Sequence, residues 1–206
     1  MRRLILALPI VLGLACGCSN QPGLEKAAQR DAREAIARGD YRMRAVDEVR
    51  DETSRRYQLA YNKTILLEQP FITPANRLEE RMVAMARDHS AANTRAFSDA
   101  LLAETIYVPS TKEGFLLAKT RPSAVTFIRM PIEDGRHAMV LFSSPDRLRQ
   151  TFHNDTEWYI QSLTGRQALA VSKGSPVVVN YALRPPVYIA PDQVEKLLAS
   201  SPKPAP

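Results

Sequence analysis

The chain has 206 residues, 45% of them apolar and 24% charged, and a formal charge of +6 that falls to +4 when Arg2 and Arg3 are set aside with a leader. That composition is globular, and the basic excess is too mild to point to a nucleic-acid partner. Cys16 and Cys18 are the only cysteines, which excludes a disulfide framework and a structural zinc cluster.

Residues 1–17 read as a secretory leader: Arg2-Arg3, an apolar run from Leu4 to Ala15, then small residues, too short a stretch to span a bilayer. Residues 18–23 form a polar tether. Residues 24–72 read as mainly helical. Leu24, Ala27, Ala28, Ala35 and Ile36 mark a helix over 24–38 that Gly39 ends. Tyr57, Tyr61, Ile65 and Leu66 mark another over 50–68, and 41–46 reads as a short strand between them. Arginines alternate with Asp and Glu throughout this segment, which describes a solvated, salt-bridged surface or, alternatively, one that meets lipid head groups or cell wall.

Residues 73–201 read as an α+β domain, a mostly antiparallel or mixed sheet with helices packed on it, and 202–206 as a Pro-rich tail. Thr73 is expected to cap a helix with Pro74 at its first position and Leu78, Met82, Val83 and either Met85 or Ala86 on its buried face. A second helix over 93–104 buries Phe97, Leu101 and Leu102. Ile106-Tyr107-Val108 reads as a strand stopped by Pro109, and 115–118 as another strand. The centre of the domain is 125–142, two strands turning at Asp134-Gly135, a dipeptide that supplies the positive φ of a tight hairpin. Pro131 places the first of these at an edge or a bend. Val140-Leu141-Phe142 is apolar without alternation, the pattern of a strand covered on both faces. A helix over 145–152 follows, then a short helix capped by Thr164, a buried strand over 176–183, a strand over 187–189 and a last amphipathic helix over 191–200.

Few residues here carry chemistry. His89, His137 and His153 lie far apart without an i, i+4 partner, and no G-x-S-x-G, Walker or H-E-x-x-H motif is present. Ser200-Ser201-Pro202-Lys203 spells S-x-x-K in the Pro-rich tail, without partner motifs. Glu133 and Asp134 sit at a turn tip, where Asp134 answers to turn chemistry. No catalytic, metal or cofactor residue follows from these patterns. Aromatic residues beside loops, Tyr107, Phe115, Trp158, Tyr159 and Tyr181, are the candidates for a binding surface. Trp158 and Tyr159 stand first because they follow a polar turn and aromatics anchor interfaces.

Ala15-Cys16-Gly17-Cys18-Ser19 resembles the lipobox of bacterial lipoproteins, with Cys18 as the acylated residue and Cys16 as the alternative. That resemblance implies an N-terminal lipid anchor and, with Ser rather than Asp after the cysteine, an outer-membrane protein facing the periplasm. A second resemblance rests on Asn76-Arg77-Leu78, Phe97 with Ala100-Leu101-Leu102, Ile106-Tyr107-Val108-Pro109 and Asp134-Gly135. It continues through the run from Val140 to Leu148, Val177-Val178-Val179-Asn180 and Ile189-Ala190-Pro191-Asp192-Gln193-Val194. Together these resemble the N-terminal domain of the SseB family, named for enhanced serine sensitivity. Where the family often has a Gly-containing stretch after the Asn, this chain has Tyr181-Ala182-Leu183-Arg184-Pro185-Pro186, a departure that argues against a shared ligand at this edge. The resemblance implies the fold and brings no catalytic residues. The expected function is a non-enzymatic, membrane-anchored envelope lipoprotein that binds an envelope protein. The alternatives are an architectural lipoprotein contacting peptidoglycan or lipid, and an enzyme of unidentified type.

Overall fold

A computed structural model describes residues 22–44, 50–120, 127–132, 136–152, 159–172 and 174–200. They fall into two compact units that divide between Phe71 and Ile72. The leader, Cys16, Cys18 and the Asp134-Gly135 turn lie outside the described residues.

The N-terminal unit pairs two helices, α1 (Pro22–Ala37) and α2 (Glu52–Glu68). Gly39, at φ +74°, ends α1. Its amide and that of Asp40 close back on the carbonyls of Ile36 and Ala35, each at 2.9 Å, a glycine-terminated helix end that satisfies the last orphan carbonyls. Asp51 caps α2 by accepting from the Ser54 amide at 2.7 Å. Ala28, Ala32 and Ala35 line the face of α1 that meets Tyr61 and Ile65 of α2. The small side chains leave room for the large ones. Arg33 grips Glu68 through two nitrogens, at 2.8 and 2.9 Å. The strand expected over 41–46 is absent from 41–44, and 45–46 lie outside the described residues. Asn62 of α2 instead clamps the peptide of Arg44, accepting from its amide at 2.7 Å and donating to its carbonyl at 2.8 Å. The Arg44 guanidinium lies over the Tyr61 ring, 3.9 Å from its centroid.

The C-terminal unit runs α3 (Arg77–Arg87), α4 (Ala91–Ala103), β1 (Thr105–Ser110), α5 (Lys112–Thr120), β2 (Arg129–Pro131) and β3 (His137–Leu141). It continues α6 (Pro145–Phe152), β4 (Tyr159–Thr164), α7 (Gly165–Val171), β5 (Val177–Val179), β6 (Val187–Ile189) and α8 (Pro191–Ser200). Four strands form one sheet in the order β2-β3-β5-β6, parallel only between β3 and β5. β1 and β4 form an antiparallel pair from Thr105 opposite Thr164 to Ser110 opposite Tyr159. Tyr107 and Phe142 exchange both backbone hydrogen bonds at 2.9 Å, which links that pair to the end of β3. The class is α+β with a helical N-terminal segment, as the sequence pattern requires. β2, which carries Pro131, is an edge strand, where a missing amide is tolerated. Met139 and Leu141 join the main core with Leu78, Met82, Phe97 and Leu101. Val140 and Phe142 join a second cluster with Leu148 on the other face. β3 is therefore covered on both sides.

Four local expectations are corrected. The cap of α3 is Asn76 rather than Thr73: its Oδ1 accepts from the Glu79 amide at 3.0 Å, and Pro74 precedes the helix. Pro109 does not stop β1 but sits within it, opposite Ile160. Residues 115–118 belong to helix α5, not to a strand, because Thr111 opens a helical turn by accepting from the Gly114 amide at 3.1 Å. The strand over 176–183 ends at Val179, since Asn180 and Ala182 adopt φ of +55° and +61°, outside the strand region.

Candidate interaction surface

The end of β1 leads through Thr111 directly into α5, so the helix packs beside the start of β4. Phe115 of α5 meets the Tyr159 ring at a centroid distance of 5.3 Å and a 41° tilt. The Lys119 ammonium lies 4.7 Å from the Phe115 ring centre on the same helix. Phe115 and Gly114 face inward, so Leu116 and Leu117 point outward, 50% and 40% exposed. Lys112, Glu113 and Lys119 are exposed around them. The result is a small apolar and aromatic patch with a polar rim.

Of the five aromatic residues singled out in the sequence, the structure brings Phe115 and Tyr159 together. Tyr107 and Tyr181 pack half-buried on the Val140–Phe142–Leu148 cluster instead. Trp158 lies outside the described residues, as do His153, Glu133 and Asp134. His89 and His137 are exposed. Among the described residues no group of His, Cys, Asp and Glu could hold a metal ion, and no helix is long and apolar enough to cross a membrane. Leu116 and Leu117 escaped the sequence reading because a strand over 115–118 would alternate its faces. Only the helix puts both on the outside.

The charged centre of the unit lies inside it. Glu79, fully buried in α3, accepts from Arg147 Nε at 2.9 Å and from Arg147 Nη2 at 2.8 Å. It also accepts from the Ser143 hydroxyl at 2.6 Å and the Ala75 amide at 2.8 Å. Arg147 donates further to the Thr73 carbonyl at 2.6 Å and to Gln150 at 3.0 Å. Asn180 completes the network: its Oδ1 accepts from the Ser143 amide at 3.0 Å and its Nδ2 donates to the Ser143 hydroxyl at 2.9 Å. Burial pushes the Glu79 carboxyl up, but the hydrogen bonds from Arg147, Ser143 and Ala75 outweigh it and hold the group below the ordinary value for glutamate. These groups staple together α3, the start of α6 and the end of β5. A depression of about 200 Å³ adjoins the network, lined by Asn76, Glu104, Tyr107, Ser143 and Ser144 among others.

No curated protein and no solved structure matches the chain. The sequence model of the SseB protein N-terminal domain matches residues 78–196. That span runs from the first turn of α3 into α8 and includes every described strand, the α5 patch and all of the buried network except the Thr73 and Ala75 backbone groups. Covering more than half of the 206 residues, it shows that the chain belongs to the SseB N-terminal domain family.

Proposed function

We propose that this protein is an envelope lipoprotein, anchored through acylated Cys18, whose SseB domain is a non-enzymatic module that docks an envelope protein through α5 and Tyr159. The observation that carries the reading is the pairing of Phe115 with Tyr159 beneath the exposed Leu116 and Leu117. Two adjacent leucines on a short helix expose apolar area that a protein partner could bury, at roughly 25 cal/mol per Å² removed from water. The buried charge supports a structural role for the interior: Glu79 accepts from both Ser143 and Arg147, and Ser143 is bonded in turn to Asn180, so each of these side chains is tied into the packing of the unit. The anchor rests on the lipobox resemblance at Cys18.

Crosslinking in cells with a tagged, lipidated chain, read by mass spectrometry, tests the proposal. One stoichiometric envelope protein is expected, reduced about tenfold or more by Leu116→Asp/Leu117→Asp, since anchor residues dominate such contacts. It should also be lost when Cys16 and Cys18 are both changed to Ala. Both leucines are exposed, so the paired Asp variant should keep its stability to within about 0.5 kcal/mol per site. A chain that stays membrane-bound but enriches no protein would sink the docking reading and turn attention to cell-wall or small-ligand binding.

A further inference from the structure

The N-terminal unit carries a second surface of different character. Tyr61, Thr64 and Ile65 mark the buried side of α2. Leu59, Lys63 and Leu67 follow one another at intervals of four residues on the opposite side, which puts them on one stripe. Leu59 is 50% and Leu67 45% exposed. Arg55 and Arg56 flank the stripe one turn earlier, and both are exposed. Glu52 is the acidic residue of this face and is paired with Arg56 at 2.9 Å. Arg55 and Lys63 have no ion-pair partner among the described residues. The face thus mixes exposed leucines with an excess of cations whose long aliphatic stems can lie along an apolar boundary while their charges reach water.

Chain length says where such a face would be held. If Cys18 is acylated, only Ser19, Asn20 and Gln21 separate the anchor from Pro22, the first residue of α1. Four residue steps span at most roughly 14 Å. The start of the helix pair cannot then leave the bilayer surface by more than that. We propose that the outward face of α2 rests on an anionic lipid surface, with Leu59 and Leu67 at the boundary of the acyl chains and Arg55, Arg56 and Lys63 among the phosphates. This rests on the lipoprotein reading for its proximity to a membrane. Anionic lipid fits better than a protein here because leucines interleaved with Lys and Arg are the composition of helices that lie in a membrane interface, and a negatively charged leaflet attracts each such cation.

The test supplies the tether artificially, so that it does not depend on natural acylation. A chain beginning at Cys18 keeps every described element and has that residue as its one thiol. It is coupled through the thiol to a maleimide lipid in phosphatidylglycerol-containing vesicles. The rate at which a water-soluble amine reagent modifies Lys63 is then read by mass spectrometry, with Lys196 as the internal reference. Lys63 should be protected at least about fivefold relative to the free chain, Lys196 unchanged, and the protection should shrink at high salt as the cations are screened. Leu59→Asp/Leu67→Asp, folded as shown by its unchanged melting midpoint, should abolish the protection. Equal Lys63 reactivity free and tethered overturns the proposal. So does protection that persists in the Asp variant, or that follows protein density on the vesicle rather than the anionic lipid, which would mark contact with a second copy. Whether the natural chain is acylated is read separately, from the intact mass of the protein extracted from membranes. A missing acyl group would remove the lipoprotein reading while leaving the α2 result standing.

Discussion

Glu79 holds a full carboxylate where no water reaches it, and the stability of that arrangement depends on pH in a definite direction. The unfolded carboxyl titrates near 4.5 and the folded one lower. Its contribution is therefore complete above pH 4.5 and lost as pH falls through the folded value, because protonation then favours the unfolded chain. Glu79→Gln keeps the shape, removes the charge and leaves Arg147, only 11% exposed, without its counter-ion. Breaking a buried pair from one side costs about 3–5 kcal/mol. Urea denaturation at pH 7 should show that loss, and the gap between wild type and variant should narrow as pH is lowered below 4.5 and through the folded value. A gap that stays constant with pH would mean that the pair contributes shape rather than charge. Part of this cluster was legible beforehand. Ser143, Arg147 and Asn180 all fall in stretches that carry the family resemblance, but their partner Glu79 was hidden. Thr73-Pro74 offers as good a helix start as Asn76, and the choice between them decides whether position 79 lies in the first turn, bonded back to Ala75. Ala182, at φ +61°, occupies a left-handed conformation that glycine adopts without strain.

Gly165 decides how two helices meet. It opens α7, and its amide donates to the Glu104 carbonyl at 2.9 Å, just past the end of α4. A Cβ there would fall 1.6 Å from the Leu101 oxygen and 2.7 Å from its carbonyl carbon. Both are backbone atoms of α4, so no side chain can rotate away to make room. Gly165→Ala must move α7 off α4, and a loss at the upper end of the overpacking range, about 3 kcal/mol or more, is expected in the denaturation midpoint. A near-neutral result would show that α7 shifts freely. Elements with distinct end signals were readable: α6 after Ser144-Pro145, α8 after Ala190-Pro191, and α7 behind Thr164, whose capping box with Gln167 is present. β3 was readable because an unbroken apolar run has few homes other than an inner strand. α5 was not. Phe115-Leu116-Leu117-Ala118 is too short for periodicity to separate a helix from a strand, and the deciding signal was the capping hydroxyl of Thr111, which reads equally well as loop. Sheet order was also out of reach, because the parallel β3–β5 pairing joins residues separated by an entire helix–strand–helix excursion.

At the scale of the molecule, the two units differ in what holds them. The C-terminal unit buries Phe97, Leu101, Met139, Leu141 and Leu169 among many others, and pins its helices to the sheet through the Glu79 network. The N-terminal unit has a core of three alanines with Tyr61 and Ile65. Its lateral ties include a hydrogen bond from the Tyr57 hydroxyl to the Asp31 carboxylate and the Arg33–Glu68 pair, which is largely exposed and so weakened by solvent. Isolated helices of this length are marginal in water, and a stretch of about fifty residues buries too small a share of its surface to compensate. A chain beginning at Pro70 retains the Ile72 amide, which donates to the Arg184 carbonyl at 2.7 Å, and the Thr73 carbonyl that Arg147 grips. It should unfold in one cooperative transition and give dispersed amide resonances. The complementary chain, from Ser19 to Phe71, should show only partial helicity in dilute buffer. Should the Pro70 chain fail to fold, the SseB domain would need residues upstream of its own core. Should the Ser19–Phe71 chain melt cooperatively instead, the alanine-lined contact between α1 and α2 would be worth more than its small buried area allows.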